Sequence, residues 1–177
     1  MRRSYLDLFL KQVLNDSSLA FGFADLFSKV VYDPSEHDQV QASMLVGRSR
    51  FDKATAHLGP RNLGRATHAG WMATAAWRHT MSSTVTLTQR MFLTGESYDN
   101  RNGLNAPVAM GRATDYGYRM DLGYIPGAGR VFEAGWSFER LGARQQHAFQ
   151  VPGWHIVGGE DFESHAQKVG AYGQLHW

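Results

Sequence analysis

The sequence predicts an all-β protein, a set of about eight antiparallel transmembrane β-barrel strands forming one segment over residues 1–177. Three observations carry that expectation. Apolar residues recur at every second position in stretch after stretch, as at Tyr116, Tyr118, Met120, Leu122 and Tyr124. Successive strand side chains point to opposite faces, so this spacing gives each strand one apolar and one polar face. Aromatics make up 12% of the chain and sit near the ends of these stretches, and 19 glycines favour strands and turns over a helical bundle. The third observation is a division of the connections into short and long, taken up below.

No run approaches the roughly 18 apolar residues that a membrane-crossing helix requires. Alternating strands average out in a hydropathy window, so the same fact leaves a membrane barrel open. A net charge of +2, with basic residues scattered, gives no footprint for nucleic acid. The absence of cysteine removes disulfides, thiolate metal sites and thiol nucleophiles.

In chain order, the first strand is expected over about Ser4–Gln12, with Leu6, Leu8 and Leu10 on one face. Asp7 and Lys11 interrupt what would otherwise read as a signal peptide. The second covers Ala20–Tyr32 and ends in the turn Asp33–Asp38, where Pro34 and short polar residues preset the backbone. The third runs Gln39–Arg50, with Val40, Ala42, Met44 and Val46 together. The fourth, Gly70–His79, places Trp71 and Trp77 on one face, roughly 20 Å apart along the strand. The fifth is Thr84–Glu96 and the sixth Asp115–Tyr124, whose opposite face carries Asp115, Arg119 and Asp121. The seventh, Val131–Leu141, aligns Phe132, Ala134, Trp136 and Phe138. The eighth is Lys168–Trp177, with Val169, Ala171, Leu175 and Trp177 on its apolar side. Trp71, Trp77, Tyr116, Tyr118, Tyr124, Phe132, Trp136 and Phe138 are the expected lipid-facing aromatics.

Asp33–Asp38, His79–Ser83 and Ile125–Arg130 read as tight turns. Phe51–Ala69, Ser97–Ala113 and Gly142–His165 read as long loops. That sidedness is the pattern of outer-membrane barrels, which have short periplasmic turns and long external loops. A soluble lipocalin-like barrel, with the apolar face inward, is the alternative that periodicity alone leaves open.

Catalytic and metal chemistry find no support, so no enzyme, cofactor or metal is expected. The eight histidines are dispersed, with no pair at helical ligand spacing. In Asp99-Asn100-Arg101-Asn102-Gly103 an arginine occupies a position where a calcium loop needs oxygen. Gly127-Ala128-Gly129 lacks the third glycine of a dinucleotide site and reads as a hairpin turn. Trp154 and His155, mid-loop, are the ligand-contact candidates, with packing of the loop on its neighbours as the favoured reading.

Arg3-Ser-Tyr-Leu-Asp-Leu, Ala20-Phe-Gly-Phe-Ala-Asp, Lys29-Val-Val-Tyr-Asp-Pro-Ser35 and Val169-Gly-Ala-Tyr-Gly-Gln-Leu-His-Trp177 resemble barrel strands of TonB-dependent outer-membrane receptors. The likeness is one of strand texture and order along nearly the whole chain. It implies a 22-stranded barrel around an N-terminal plug, importing siderophores, cobalamin or saccharides. About eight strands make roughly a third of such a wall. No plug or TonB box is recognised. The expectation is therefore a partial segment in the bacterial outer membrane, whose partners are lipid, the rest of the barrel and a plug, with the TonB system reached only through the missing part. A self-contained eight-stranded outer-membrane barrel, structural, adhesive or lipid-modifying, is the competing membrane reading.

Overall fold

The computed structural model describes residues 2–3, 19–53, 62–127, 129–149 and 158–177. Its elements are β1 (Arg2–Arg3), β2 (Leu19–Ser35), β3 (Asp38–Lys53), β4 (Leu63–Ser82), β5 (Val85–Asn102), β6 (Pro107–Gly127), β7 (Arg130–Phe149) and β8 (Gly158–His176). They form one antiparallel sheet in which each strand pairs with its sequence neighbour, in the order β1 to β8. Among the described residues the sheet is open, β8 pairing only with β7. No described residue is helical. The expected strand at Ser4–Gln12 lies outside the described residues; Arg2 and Arg3 pair with Asp25 and Ala24.

The seven long strands fall where alternation places them, but they are longer than expected, 16 to 21 residues rather than about ten. Three expected loops are corrected accordingly. Ser97–Ala113 is a hairpin, because Tyr98–Arg101 pair with Pro107–Gly111 and only Gly103–Ala106 connect the strands. Gly142–Phe149 pairs with Gly158–His165, and Phe51–Asp52 with Arg65–Ala66. These stretches carry no apolar alternation, yet backbone hydrogen bonding continues through them regardless of side-chain polarity. Asn102 closes the short hairpin. Its buried Oδ1 accepts from the amides of Leu104 and Ala106 at 3.0 and 2.9 Å, and Asn105 takes a left-handed φ of 61°. Asparagine tolerates that conformation better than most residues. At the other end the expected tight turns hold, and Gly127 and Gly129 supply positive φ angles of 109° and 73°.

Register puts all the apolar stripes on the same side. One ladder row reads Tyr32–Val40–Trp77–Gln89–Met120–Trp136–Ala171 across seven strands. A one-residue slip in any pair would break this coincidence. The apolar band crosses the ladders obliquely. It begins at Trp71 on β4, whose row runs through Gly95, Thr114 and Gly142 to His165 on β8. On β8 itself it begins four residues further on, at Val169. That is a drift of about one residue per strand, which at 3.3 Å rise and 4.8 Å strand spacing corresponds to a tilt of about 35°.

The apolar side is the more exposed one. On β7, Phe132, Ala134, Trp136 and Arg140 are exposed while Glu133, Gly135, Ser137 and Glu139 are half-buried. Among the described residues no hydrophobic side chain is buried. The sheet curls around its polar face. A groove of about 640 Å³ lies there, lined by Asp25, Leu45, His68, Glu96, Asp115 and their neighbours.

Candidate functional site: an apolar belt backed by a polar wall

The eight aromatics singled out in the sequence share the outward face. Ladder partners lie on one face, and the register links Trp71 to Gly95, Trp77 to Gln89, and Tyr118 to Phe138. Six of the eight are exposed, and Tyr118 and Phe138 are half-buried. Between β6 and β7 the rings form a contiguous ladder. Tyr118 and Trp136 have centroids 5.1 Å apart, Tyr124 stacks on Phe132 at 6.1 Å, and Tyr116 meets Phe138 at 6.2 Å. Such pairs stabilise beyond the area they cover. Tyr118 also donates its hydroxyl to Gln89 Oε1 at 2.6 Å, which satisfies a polar side chain in the middle of the belt.

Each edge of the belt is marked by a tryptophan on β4. The Trp77 indole donates to Asp38 Oδ1 at 2.9 Å. Asp38 also accepts from Ser35 Oγ at 2.7 Å and lies 2.7 Å from His79 Nδ1. The Ser35 hydroxyl first, then His79 and Trp77, hold the Asp38 carboxyl at about 2, well under the usual carboxylate range. At the opposite edge Trp71 lies across Gly95, where an added Cβ would come within 2.5 Å of the indole nitrogen.

The polar face carries its own lattice. Asp121 accepts from Arg90 Nη1 at 2.6 Å, Arg119 Nε at 2.8 Å and the Tyr172 hydroxyl at 2.7 Å, which ties β5, β6 and β8 together. Arg119 also sits over the Tyr172 ring, 5.4 Å from its centroid. Tyr172 reaches β6 only by lying across β7 at Gly135, where a Cβ would stand 2.5 Å from the ring. Gln174 donates to Glu133, and Ser43 and Thr74 share a 2.6 Å hydrogen bond. Hydrogen-bonded charge of this kind, exposed on the arginines and half-buried at Asp121, suits a wall facing water or another polar body.

Beyond the Trp71 edge the outward face turns charged. Asp52 pairs with Arg50 and with Arg65 at 2.7 Å, Asp99 with Arg101 at 3.0 Å, and Asp161 with Arg144 at 2.5 Å. The Arg144 guanidinium, followed by the Gln146 amide, lowers the Asp161 carboxyl from its ordinary value.

Trp154 and His155 lie outside the described residues, so the two loop candidates join no described site. Among the described residues no three metal-ligating side chains cluster. Sequence reasoning missed Asp38 and the Tyr172–Gly135–Asp121 bridge. Pro34-Ser35 with Asp38 three residues on from the serine is a turn signal from which the first was accessible. The second depends on register, which pairs Gly135 with Tyr172.

No protein-family model matches the sequence, and no curated protein matches it. The architecture has a likeness in fold to a solved structure. In particular, it is similar to the open form of the ferric-catecholate import receptor Fiu from E. coli K12, with a TM-score of 0.59 and 7% sequence identity. The alignment covers 90% of this chain and 33% of that one, so this chain spans about a third of the receptor's length. At that identity the likeness is one of fold.

Proposed function

We propose that this chain forms a wall segment of an outer-membrane β-barrel of the TonB-dependent receptor type, serving import rather than catalysis. The single observation that carries the reading is the outward apolar belt. It is continuous over seven strands, rimmed by aromatics, and inclined to the ladders by roughly the tilt that barrel strands adopt. On β6 it runs from Tyr116 to Tyr124, matching the 9–11 tilted residues that cross a bilayer's hydrocarbon. A monomer in water rarely exposes apolar patches beyond a few hundred Å². Lipid would cover this face, while the Arg90–Asp121–Arg119–Tyr172 wall would line the lumen.

The open sheet and the one-third coverage of the receptor support a segment completed by further strands. In that setting the polar face would meet a plug, and energy from a TonB system would act through parts other than this wall. Siderophores, cobalamin and saccharides are the substrate classes of such importers, and the fold neighbour is a ferric-catecholate import receptor.

The test is expression of the chain without detergent and refolding with it. The reading expects aggregation in water through the unpaired edges, and no compact heat-modifiable monomer in detergent. A heat-modifiable monomer would replace the segment with a self-contained eight-stranded barrel. A water-soluble monomer would defeat both membrane readings.

A further inference from the structure

We propose that the outward surface of β6–β8 just past the aromatic belt binds the phosphate of a membrane lipid headgroup through Arg112, Arg140 and Arg144. The proposal rests on the membrane reading above and adds a ligand to it.

Arg112 and Arg144 are direct ladder partners. Like charges so placed repel unless an anion lies between them. Asp161 answers Arg144 with hydrogen bonds of 2.5 and 3.1 Å. Arg112 has no such partner among the described residues, and neither does Arg140, two residues beyond Phe138. Of the neighbouring acids, Asp99 is engaged by Arg101, and Glu163, the ladder partner of Arg144 on β8, lies 3.2 Å from His165. Two clefts flank the Arg112–Arg144 pair. One, of about 410 Å³, has Tyr98, Met110 and Gln146 in its lining; the other, of about 290 Å³, has Thr114, Glu163 and His165. The ladder pair thus offers one unneutralised guanidinium group, a second shared with Asp161, a hydroxyl and apolar surface, and Arg140 adds a further unneutralised guanidinium two same-face steps along β7.

Position selects a lipid over a free anion. Arg140 is one same-face step past Phe138, and Arg112 two past Tyr116, so their heads stand about 7–13 Å along the strand from the belt edge. That is headgroup depth, with the belt holding the acyl chains below. The turn end differs. There the outward positions past the belt include Asp38, His79 and Arg130, and among the described residues none of them sets one arginine opposite another on the ladder. Arginine's planar fork matches phosphate oxygens two at a time.

The experiment titrates the chain, assembled with the strands that complete its barrel and held in neutral detergent micelles, with dioleoyl phosphatidic acid, with the matching diacylglycerol, and with inorganic phosphate, reading bound lipid by native mass spectrometry. The expected result is phosphatidic acid binding over diacylglycerol by at least tenfold, weakened by salt, with no competition from millimolar inorganic phosphate. The double substitution Arg112→Gln/Arg140→Gln should lower that binding about tenfold, with the far-UV spectrum unchanged. Arg112→Lys, which keeps the charge and loses the fork, should fall between. Equal binding of the two lipids, or displacement by inorganic phosphate, would overturn the headgroup site while leaving the belt intact. A chain that takes up neither lipid and stays soluble without detergent would overturn the belt as well, and the site with it.

Discussion

Placing an arginine at the centre of the outward face tests its contact with lipid most sharply through a comparison along one strand. Met120 is the midpoint of the Tyr116–Tyr124 stretch, in a row between Gln89 and Trp136. Four residues separate it from either tyrosine, about 13 Å along the strand and about 11 Å along the normal at the tilt inferred here. An arginine side chain is too short to carry its charge that far, so snorkelling gives little relief. Met120→Arg measured against Met120→Ala should therefore cost about 2–4 kcal/mol. The same pair of substitutions at Tyr124, on the belt edge, should differ by about 0–1 kcal/mol. On the polar face, Thr88→Arg places a cation opposite Asp121 and should stay within about 0.5 kcal/mol. The assay is urea unfolding in lipid bilayers, on the chain assembled with whatever strands complete its barrel. An equal penalty at Met120 and Tyr124 would refute the reasoning, since a soluble apolar interior has no depth gradient along a strand. No penalty at either site would refute it too.

Two further outcomes follow from single side chains. Gly135→Ala sets a Cβ against the Tyr172 ring and 2.7 Å from the Met120 carbonyl, and should destabilise by about 1–3 kcal/mol in denaturant titration. Gly173→Ala, with nothing within 4 Å, should be close to neutral. Asp38 provides a pH test. Its folded carboxyl is held at about 2 against an ordinary 3.8, so its contribution is fully present above the ordinary value. That contribution disappears as pH falls through the folded value. The denaturation midpoint should thus drop between about pH 4 and pH 2 by more in the wild type than in Asp38→Asn.

Much of the architecture was legible because period-two alternation is written directly in residues such as Tyr116–Tyr124 and Phe132–Phe138. What alternation cannot supply is strand length beyond the apolar band. Tyr98–Arg101 and Gly142–Phe149 are polar on both faces, so nothing in them distinguishes a paired strand from a loop. Turn chemistry was partly readable. Gly127-Ala128-Gly129 announced its hairpin, whereas Asn102 was visible as turn chemistry without revealing that it ends a ladder begun far upstream. The belt aromatics could be picked from their own strands. The polar wall could not, because Arg90, Asp121 and Tyr172 come from three strands and meet through a register that only the folded sheet provides. The same limit hid Arg112 opposite Arg144. Each is an ordinary surface arginine until the ladder places one beside the other.

The central claim is that the apolar face meets lipid, and depth-resolved tryptophan quenching addresses it most directly. Variants retaining only Trp136, only Trp71 or only Trp77 would be assembled in bilayers whose lipids carry bromine at defined acyl positions. The account predicts that Trp136 is quenched most by bromines deep in the chains, and Trp71 and Trp77 by bromines near the headgroups. Aqueous acrylamide should reach none of the three readily. Strong acrylamide quenching of Trp136, with no response to brominated lipid at any depth, would contradict it.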